Sequence, residues 1–99
     1  LGPVGADPTL AALESVGRVG QVQFGTFDLS PAILEALDAG RMSFAIDQQQ
    51  YLQGYLPIVL LTQHALYGVM PAVQVYTGPG FVTPDNAAAV QALSEAGIR

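Results

Sequence analysis

The chain contains no cysteine and no lysine, and only 11% of its 99 residues are charged. The absence of cysteine excludes disulfides and thiolate chemistry. Its three cations are all arginines, and they stand against eight carboxylates, which gives a net charge of −5. A nucleic-acid partner requires a basic surface, so this balance excludes nucleic-acid binding. The same charge disfavours binding to an anionic membrane surface.

A long apolar run is also missing. The longest such stretch, around Tyr55 to Leu61, is too short to span a bilayer. Half of the residues are nevertheless apolar, which excludes a disordered chain. The length therefore predicts one small folded domain.

Three dipeptides, Asp7-Pro8, Ser30-Pro31 and Thr83-Pro84, place a capping side chain before a proline. Proline is tolerated at the first helical position because its missing N–H has no partner there. We therefore expect a helix to begin at each of these points. A fourth and longer helix is predicted from about Gln50 to Tyr67, with Pro57 inside it.

Short apolar runs between the helices are typical of strands. The runs at 22–27 and 42–47 flank the predicted helix from Ser30, and a strand–helix–strand order predicts two parallel strands. Val73 to Tyr76 is predicted as a third strand, with a brief pairing at Phe81-Val82. The alternation of helices and strands predicts an α/β fold with a parallel sheet.

Asp28 and Gln48 follow the two predicted parallel strands and lie twenty residues apart. The carboxyl ends of parallel strands meet at one edge of the sheet, where open α/β sheets bind ligands. A carboxylate accepts hydrogen bonds and an amide both donates and accepts, so this pair suits a polyhydroxylated ligand. On spacing alone, Asp28 could instead cap the following turn. The side chain of Asp47 points to the opposite face, so we expect it to be structural.

No set of catalytic residues is present. His64 is the only histidine, and no serine or cysteine is placed with it as a nucleophile–base pair. One histidine among scattered carboxylates does not make a metal site. Gly78-Pro79-Gly80 lacks the Gly-Lys-Ser/Thr of a phosphate loop. The sequence therefore predicts neither an enzyme nor a cofactor.

Four motifs carry a family resemblance: Gly25-Thr26-Phe27-Asp28-Leu29-Ser30, Ala45-Ile46-Asp47-Gln48-Gln49, Gln53-Gly54-Tyr55 and Thr77-Gly78-Pro79. In this order they resemble the carboxyl-terminal part of sugar-binding proteins of bacterial ABC importers, the ribose-binding-like group of periplasmic binding proteins. The resemblance implies a type I periplasmic-binding-protein fold in which Asp28 and Gln48 contact the hydroxyls of a monosaccharide or related polyol. It covers about the last third of such a protein, so we expect a carboxyl-terminal fragment.

The resemblance also implies how the chain is divided between two lobes. Residues 1–48 and 78–99 would belong to the carboxyl-terminal lobe and residues 49–77 to the amino-terminal lobe, with hinge crossings near 48–49 and 76–78. The parent protein would deliver its sugar to an ABC permease, in the periplasm or tethered outside the membrane. Pentose, hexose and polyol receptors share these motifs, so the sugar stays open.

Two other functions share features with this sequence, and its apolar helix predicts one further partner. The effector-binding domain of a lactose-repressor-type regulator shares the fold, but the uninterrupted match of Asp28, Gln48 and Gln53-Gly54-Tyr55 favours the transport group. A fragment of a small α/β enzyme is disfavoured by the missing catalytic set. In the isolated chain, the helix 50–67 would expose an apolar stripe, so we expect a homodimer through this helix.

Overall fold

The computed structural model describes residues 2–99, which form four helices and three strands in the order α1-β1-α2-β2-α3-β3-α4. The helices are α1 (Gly2–Ser15), α2 (Pro31–Asp38), α3 (Gln50–Tyr67) and α4 (Ala87–Glu95). The strands are β1 (Gly25–Phe27), β2 (Phe44–Asp47) and β3 (Gly80–Val82). No helix among residues 2–99 is long and apolar enough to cross a membrane.

The three strands form one sheet in the order β1-β2-β3. β1 and β2 are parallel, with Thr26 opposite Ala45, which confirms the predicted strand–helix–strand unit. Both strands are shorter than the apolar runs that predicted them. β3 pairs with β2 in the antiparallel sense, with Asp47 opposite Gly80. The sheet is therefore mixed rather than wholly parallel.

One face of this sheet is covered and the other is open. The covered face carries the buried residues Thr26, Ala45 and Val82, and residues of α1, α2 and α4 complete the core on this side. On the open face, the ring of Phe44 lies over Gly25, since a Cβ at Gly25 would stand 2.5 Å from a ring carbon. The core consists of Ala6, Leu10, Ile33, Leu34, Ala36, Leu37, Met42, Ala45, Val82, Ala87 and Val90.

Helix α2 begins where its capping signal predicts. The Ser30 hydroxyl accepts a hydrogen bond from the backbone N–H of Ile33 at 3.2 Å, and Pro31 opens the helix. The amphipathic spacing then buries Ile33, Leu34 and Leu37 completely or nearly so. Cap and core therefore agree on the position of this helix.

The prediction that a helix begins at Asp7-Pro8 is wrong. Helix α1 begins at Gly2 and carries Pro8 in its interior, where the proline lacks the N–H that would bond to the preceding turn. Gly2, Ala6 and Leu10 lie four residues apart, and all three are buried. Packing this stripe beside β1 outweighs the lost hydrogen bond.

The prediction that Thr83-Pro84 opens the last helix is also wrong. Residues 84–86 form a turn, and α4 begins at Ala87. The Asn86 side chain accepts a hydrogen bond from the N–H of Thr83 at 2.8 Å and donates one to the carbonyl of Phe81. The N–H of Ala87 bonds to the carbonyl of Thr83 at 3.0 Å, so a single hydrogen-bonded turn at Thr83-Pro84 precedes the regular helix.

Helix α3 has the predicted bounds, Gln50 to Tyr67, with Gly68 in the left-handed conformation after its end. The predicted strand at Val73–Tyr76 is wrong, because this segment is irregular and its residues are exposed. No other strand among residues 2–99 lies beside it to exchange backbone hydrogen bonds. We call residues 49–77 the arm and the rest of the described chain the body.

The arm makes the molecule elongated. Its dimensions are 59 × 22 × 20 Å, and the radius of gyration is 16.9 Å. A compact domain of this length has a radius of gyration of about 13 Å. No residue of α3 is buried. The arm therefore extends from the body instead of packing against it.

Candidate functional site

Asp28 and Gln48 lie together at the carboxyl edge of the parallel strands, as the sequence predicts. The Gln48 amide nitrogen donates a hydrogen bond to Oδ1 of Asp28 at 2.7 Å. Asp28 directly follows β1, and its N–H continues the ladder by bonding to the carbonyl of Ile46 at 2.8 Å. It has a φ of 64°, a left-handed conformation that aspartate tolerates better than most residues.

Gln50 is a third member of this cluster that the sequence reasoning missed. Its amide nitrogen donates to the same Asp28 oxygen at 2.6 Å. Gln50 is the first residue of α3. Gln49, which lies between Gln48 and Gln50, has a left-handed backbone conformation like that of Asp28, with a φ of 57°. The only signal in the sequence was that Gln50 follows Gln48 by two positions. The reversal at Gln49 is what brings both amides to one carboxylate.

Asp47 holds this reversal from the opposite face of β2. Its carboxylate is fully buried, and both oxygens are occupied. Oδ1 accepts the N–H of Gln49 at 2.7 Å, and Oδ2 accepts Nε of Arg99 at 2.6 Å. This agrees with the structural role expected for Asp47. It also links the end of the chain after α4 to the start of the arm.

The two predicted hinge crossings are joined by one side chain. The Gln53 amide nitrogen lies 2.9 Å from the carbonyl oxygen of Gln48 and 3.1 Å from the hydroxyl of Thr77. Gly78 packs closely on the first crossing, since a Cβ there would stand 3.1 Å from the carbonyl oxygen of Asp47. The chain therefore leaves and re-enters the body at adjacent points.

A cleft of about 330 Å³ opens beside Gln48. It lies between the ends of the parallel strands and the returning chain, and its lining includes Phe27, Gln53 and Thr77. A larger groove of about 380 Å³ runs along α3 and is lined mainly by apolar residues such as Leu56 and Met70. The smaller cleft is the one that adjoins the polar cluster, so it is the better candidate for a polar ligand.

The part of the chain that the structure describes shows no arrangement for catalysis at His64 and none for metal binding. His64 lies on the exposed surface of α3, and its side chain forms no salt bridge with residues 2–99. Residues 2–99 contain no group of three or more histidine, cysteine, aspartate or glutamate residues that could hold a metal ion. The cluster around Asp28 therefore remains the candidate site.

Comparisons with known proteins agree with this architecture. The chain is 32% identical over 75 residues to the xylose/arabinose-binding protein XylF of Sulfolobus acidocaldarius, covering 75% of this chain and 19% of that protein. It superposes with a TM-score of 0.77 on a carbohydrate transporter of Acidothermus cellulolyticus 11B, solved in complex with myo-inositol. The identity there is 32%, over 91% of this chain and 32% of the other.

The chain thus spans about a fifth of the first relative and about a third of the second. A family model described as the periplasmic binding protein domain matches residues 1–68, which include both predicted parallel strands, Asp28, Gln48 and all of α3. The expected α/β architecture and the expected family are both confirmed. The chain belongs to the periplasmic binding protein domain family.

Proposed function

We propose that this chain is part of a solute receptor that binds a monosaccharide or related polyol and delivers it to an ABC permease. The observation that carries the proposal is the 2.7 Å contact between Gln48 and Asp28 at the carboxyl edge of two parallel strands. Carboxylate and amide groups in such a place recognise ligand hydroxyls. Relatives named for xylose, arabinose and carbohydrate transport support the ligand class.

In this proposal the receptor works outside the cytoplasmic membrane, in the periplasm or tethered to the outer face, and catalyses no reaction. Residues 1–48 and 78–99 form part of one lobe, and residues 49–77 form part of the other. The crossings near 48–49 and 76–78 act as the hinge. The lack of any buried residue in α3 supports this division, because the arm is not integrated into the body. The Gln53 bridge between the crossings supports the position of the hinge.

The test of ligand binding is the substitution Asp28→Ala in the complete gene product that contains these 99 residues. Calorimetry with D-xylose, L-arabinose and myo-inositol should show binding that weakens about ten- to a hundredfold, because a charge-assisted acceptor is lost. Asp38→Ala is the matched control, since Asp38 is exposed at the end of α2.

Two results would contradict the proposal. If the wild-type protein binds none of these sugars and no other monosaccharide, the function is wrong. If Asp28→Ala and Asp38→Ala have equal effects, the function can stand but the site is wrong.

For the isolated 99-residue chain we propose self-association through α3. Its exposed residues include Tyr55, Ile58 and Leu61, and the helix carries no aspartate, glutamate, lysine or arginine. A surface that is apolar and uncharged offers nothing to a charged partner, so a second copy is the occupant that fits best. Sedimentation at micromolar concentration should give a dimer. A monomer across that range would refute this.

A further inference from the structure

The two amides that bind Asp28 have a defined orientation. A carboxylate accepts hydrogen bonds and donates none. The amide atom of each glutamine that faces Asp28 must therefore be the nitrogen and not the oxygen. Gln48 and Gln50 both donate to Oδ1, at 2.7 and 2.6 Å. In a planar amide the oxygen then points away from Asp28. Among residues 2–99 no donor reaches either amide oxygen, and both glutamines are exposed.

This arrangement leaves both amide oxygens free as acceptors, while each amide nitrogen uses one of its two N–H donors on Asp28. The two amides satisfy Oδ1 of Asp28, while its Oδ2 accepts no hydrogen bond from residues 2–99. The cluster therefore offers a ligand three acceptor positions: one carboxylate oxygen and two amide oxygens. Hydroxyl groups of a sugar can donate to all three.

Among residues 2–99, no cation pairs with this cluster. The three arginines of the chain are engaged elsewhere, with Arg18 bonded to Gln21, Arg41 to Glu14, and Arg99 to the buried Asp47. A ligand carboxylate or phosphate would meet the negative charge of Asp28 without a compensating cation from residues 2–99. The cluster is thus selective for uncharged, hydroxyl-donating ligands.

We propose that Gln50 is a third polar residue of the ligand site: it holds Asp28 together with Gln48 and presents its own amide oxygen to a ligand hydroxyl. This inference rests on the proposed function. It assigns to the first residue of α3 a part in ligand selectivity, and it extends the site from the end of β2 into the arm. A hinge motion that moved the arm would move this acceptor relative to the body.

The experiment compares two sugars with the same ring hydroxyls, D-xylose and D-glucuronate, which differ by a carboxylate at carbon 5. Calorimetry is carried out on the complete gene product containing this chain. Gln50→Met keeps the length of the side chain and removes its polar atoms, so xylose binding should weaken about three- to tenfold. Gln50→Lys keeps a donor for Asp28 but replaces the acceptor by a cation. It should weaken xylose and strengthen glucuronate, changing their affinity ratio about tenfold or more.

Gln63→Met and Gln63→Lys are the controls, because Gln63 is exposed near the other end of the same helix. They should leave both affinities unchanged. Since Gln50 is exposed in the first turn, all four variants should melt within a few degrees of wild type.

The outcomes separate this inference from the function on which it rests. If wild type binds no sugar, the proposed function fails and this inference fails with it. If wild type binds but the Gln50 variants match the Gln63 variants, only the role of Gln50 is refuted. Tighter xylose binding by Gln50→Met would also refute it, because Gln50 would then obstruct the ligand.

Discussion

The body and the arm of this chain differ in what covers their apolar residues. In the body, helices α1, α2 and α4 bury a continuous core against one face of the sheet. In the arm, an 18-residue helix with a similarly apolar sequence has no buried residue at all. Helix formation in this chain therefore does not require a core, and substitutions of one kind should have unequal effects in the two regions.

The largest difference is expected for matched leucine substitutions. Leu37 is fully buried in the body, so Leu37→Ala should lower the free energy of unfolding by about 4 kcal/mol. Leu61 in the arm is 59% exposed, so at concentrations too low for self-association Leu61→Ala should change it by less than about 0.5 kcal/mol. Urea denaturation of the two variants checks this. Similar losses in both would mean that the arm has a core of its own.

A somewhat smaller effect is expected where the body anchors the arm. Arg99→Met leaves the buried carboxylate of Asp47 without its cation, which should lower the free energy of unfolding by about 3 kcal/mol. The lower part of the usual range applies because Arg99 is itself 31% exposed and water can partly replace it.

Denaturant melts of Arg99→Met and of the double variant Asp47→Asn with Arg99→Met provide the measurement. The double variant should recover much of the loss, because no unpaired charge remains while the asparagine oxygen can still accept the N–H of Gln49. Arg18→Met is the control for removal of an exposed arginine. If the double variant were as unstable as the single one, the ion pair would not be the cause.

The smallest effect concerns the bridge between the two hinge crossings. Gln53→Leu removes the contacts to the Gln48 carbonyl and to Thr77. These bonds are exposed, so global stability should change by no more than about 0.5 kcal/mol. Amide hydrogen exchange near Thr77 and in the first turn of α3 should nevertheless become several-fold faster, because local opening there no longer breaks the bridge. Unchanged exchange would mean that the crossings are held by backbone packing alone.

The body and the arm also differ in how well their helices and strands could be predicted from the sequence. Helix α3 was predicted at its observed bounds because its periodicity and Gly68 are local signals, and no tertiary packing opposes them. Helix α1 was misplaced because the burial of Ala6 and Leu10 outweighs the local proline signal. The prediction of a strand at Val73–Tyr76 was wrong for the opposite reason. A strand needs a neighbouring strand to exchange hydrogen bonds, and residues 2–99 provide none at this segment.

The candidate site was predictable only in part. The proximity of Asp28 and Gln48 followed from topology, because residues that close neighbouring parallel strands emerge together. The position of Gln50 depends on the left-handed conformation of Gln49, which no residue pattern announced. The partner of the buried Asp47 could not be predicted either, since Arg99 is distant in sequence and is brought to Asp47 by the fold.

The antiparallel pairing of β2 with β3 has a consequence for the way this domain can be rebuilt. Asp47 and Gly80 lie opposite each other in the antiparallel ladder. The two ends of the segment that connects β2 to β3 are therefore about 5 Å apart. In topological terms this connecting segment is an insertion at the tip of a β-hairpin. A tight turn such as Asn-Gly could join the two strands directly. The closing entropy of such a short loop would be smaller than that of the natural connection. The long connection between β2 and β3 can therefore be shortened, exchanged or diversified without altering the strand register of the body.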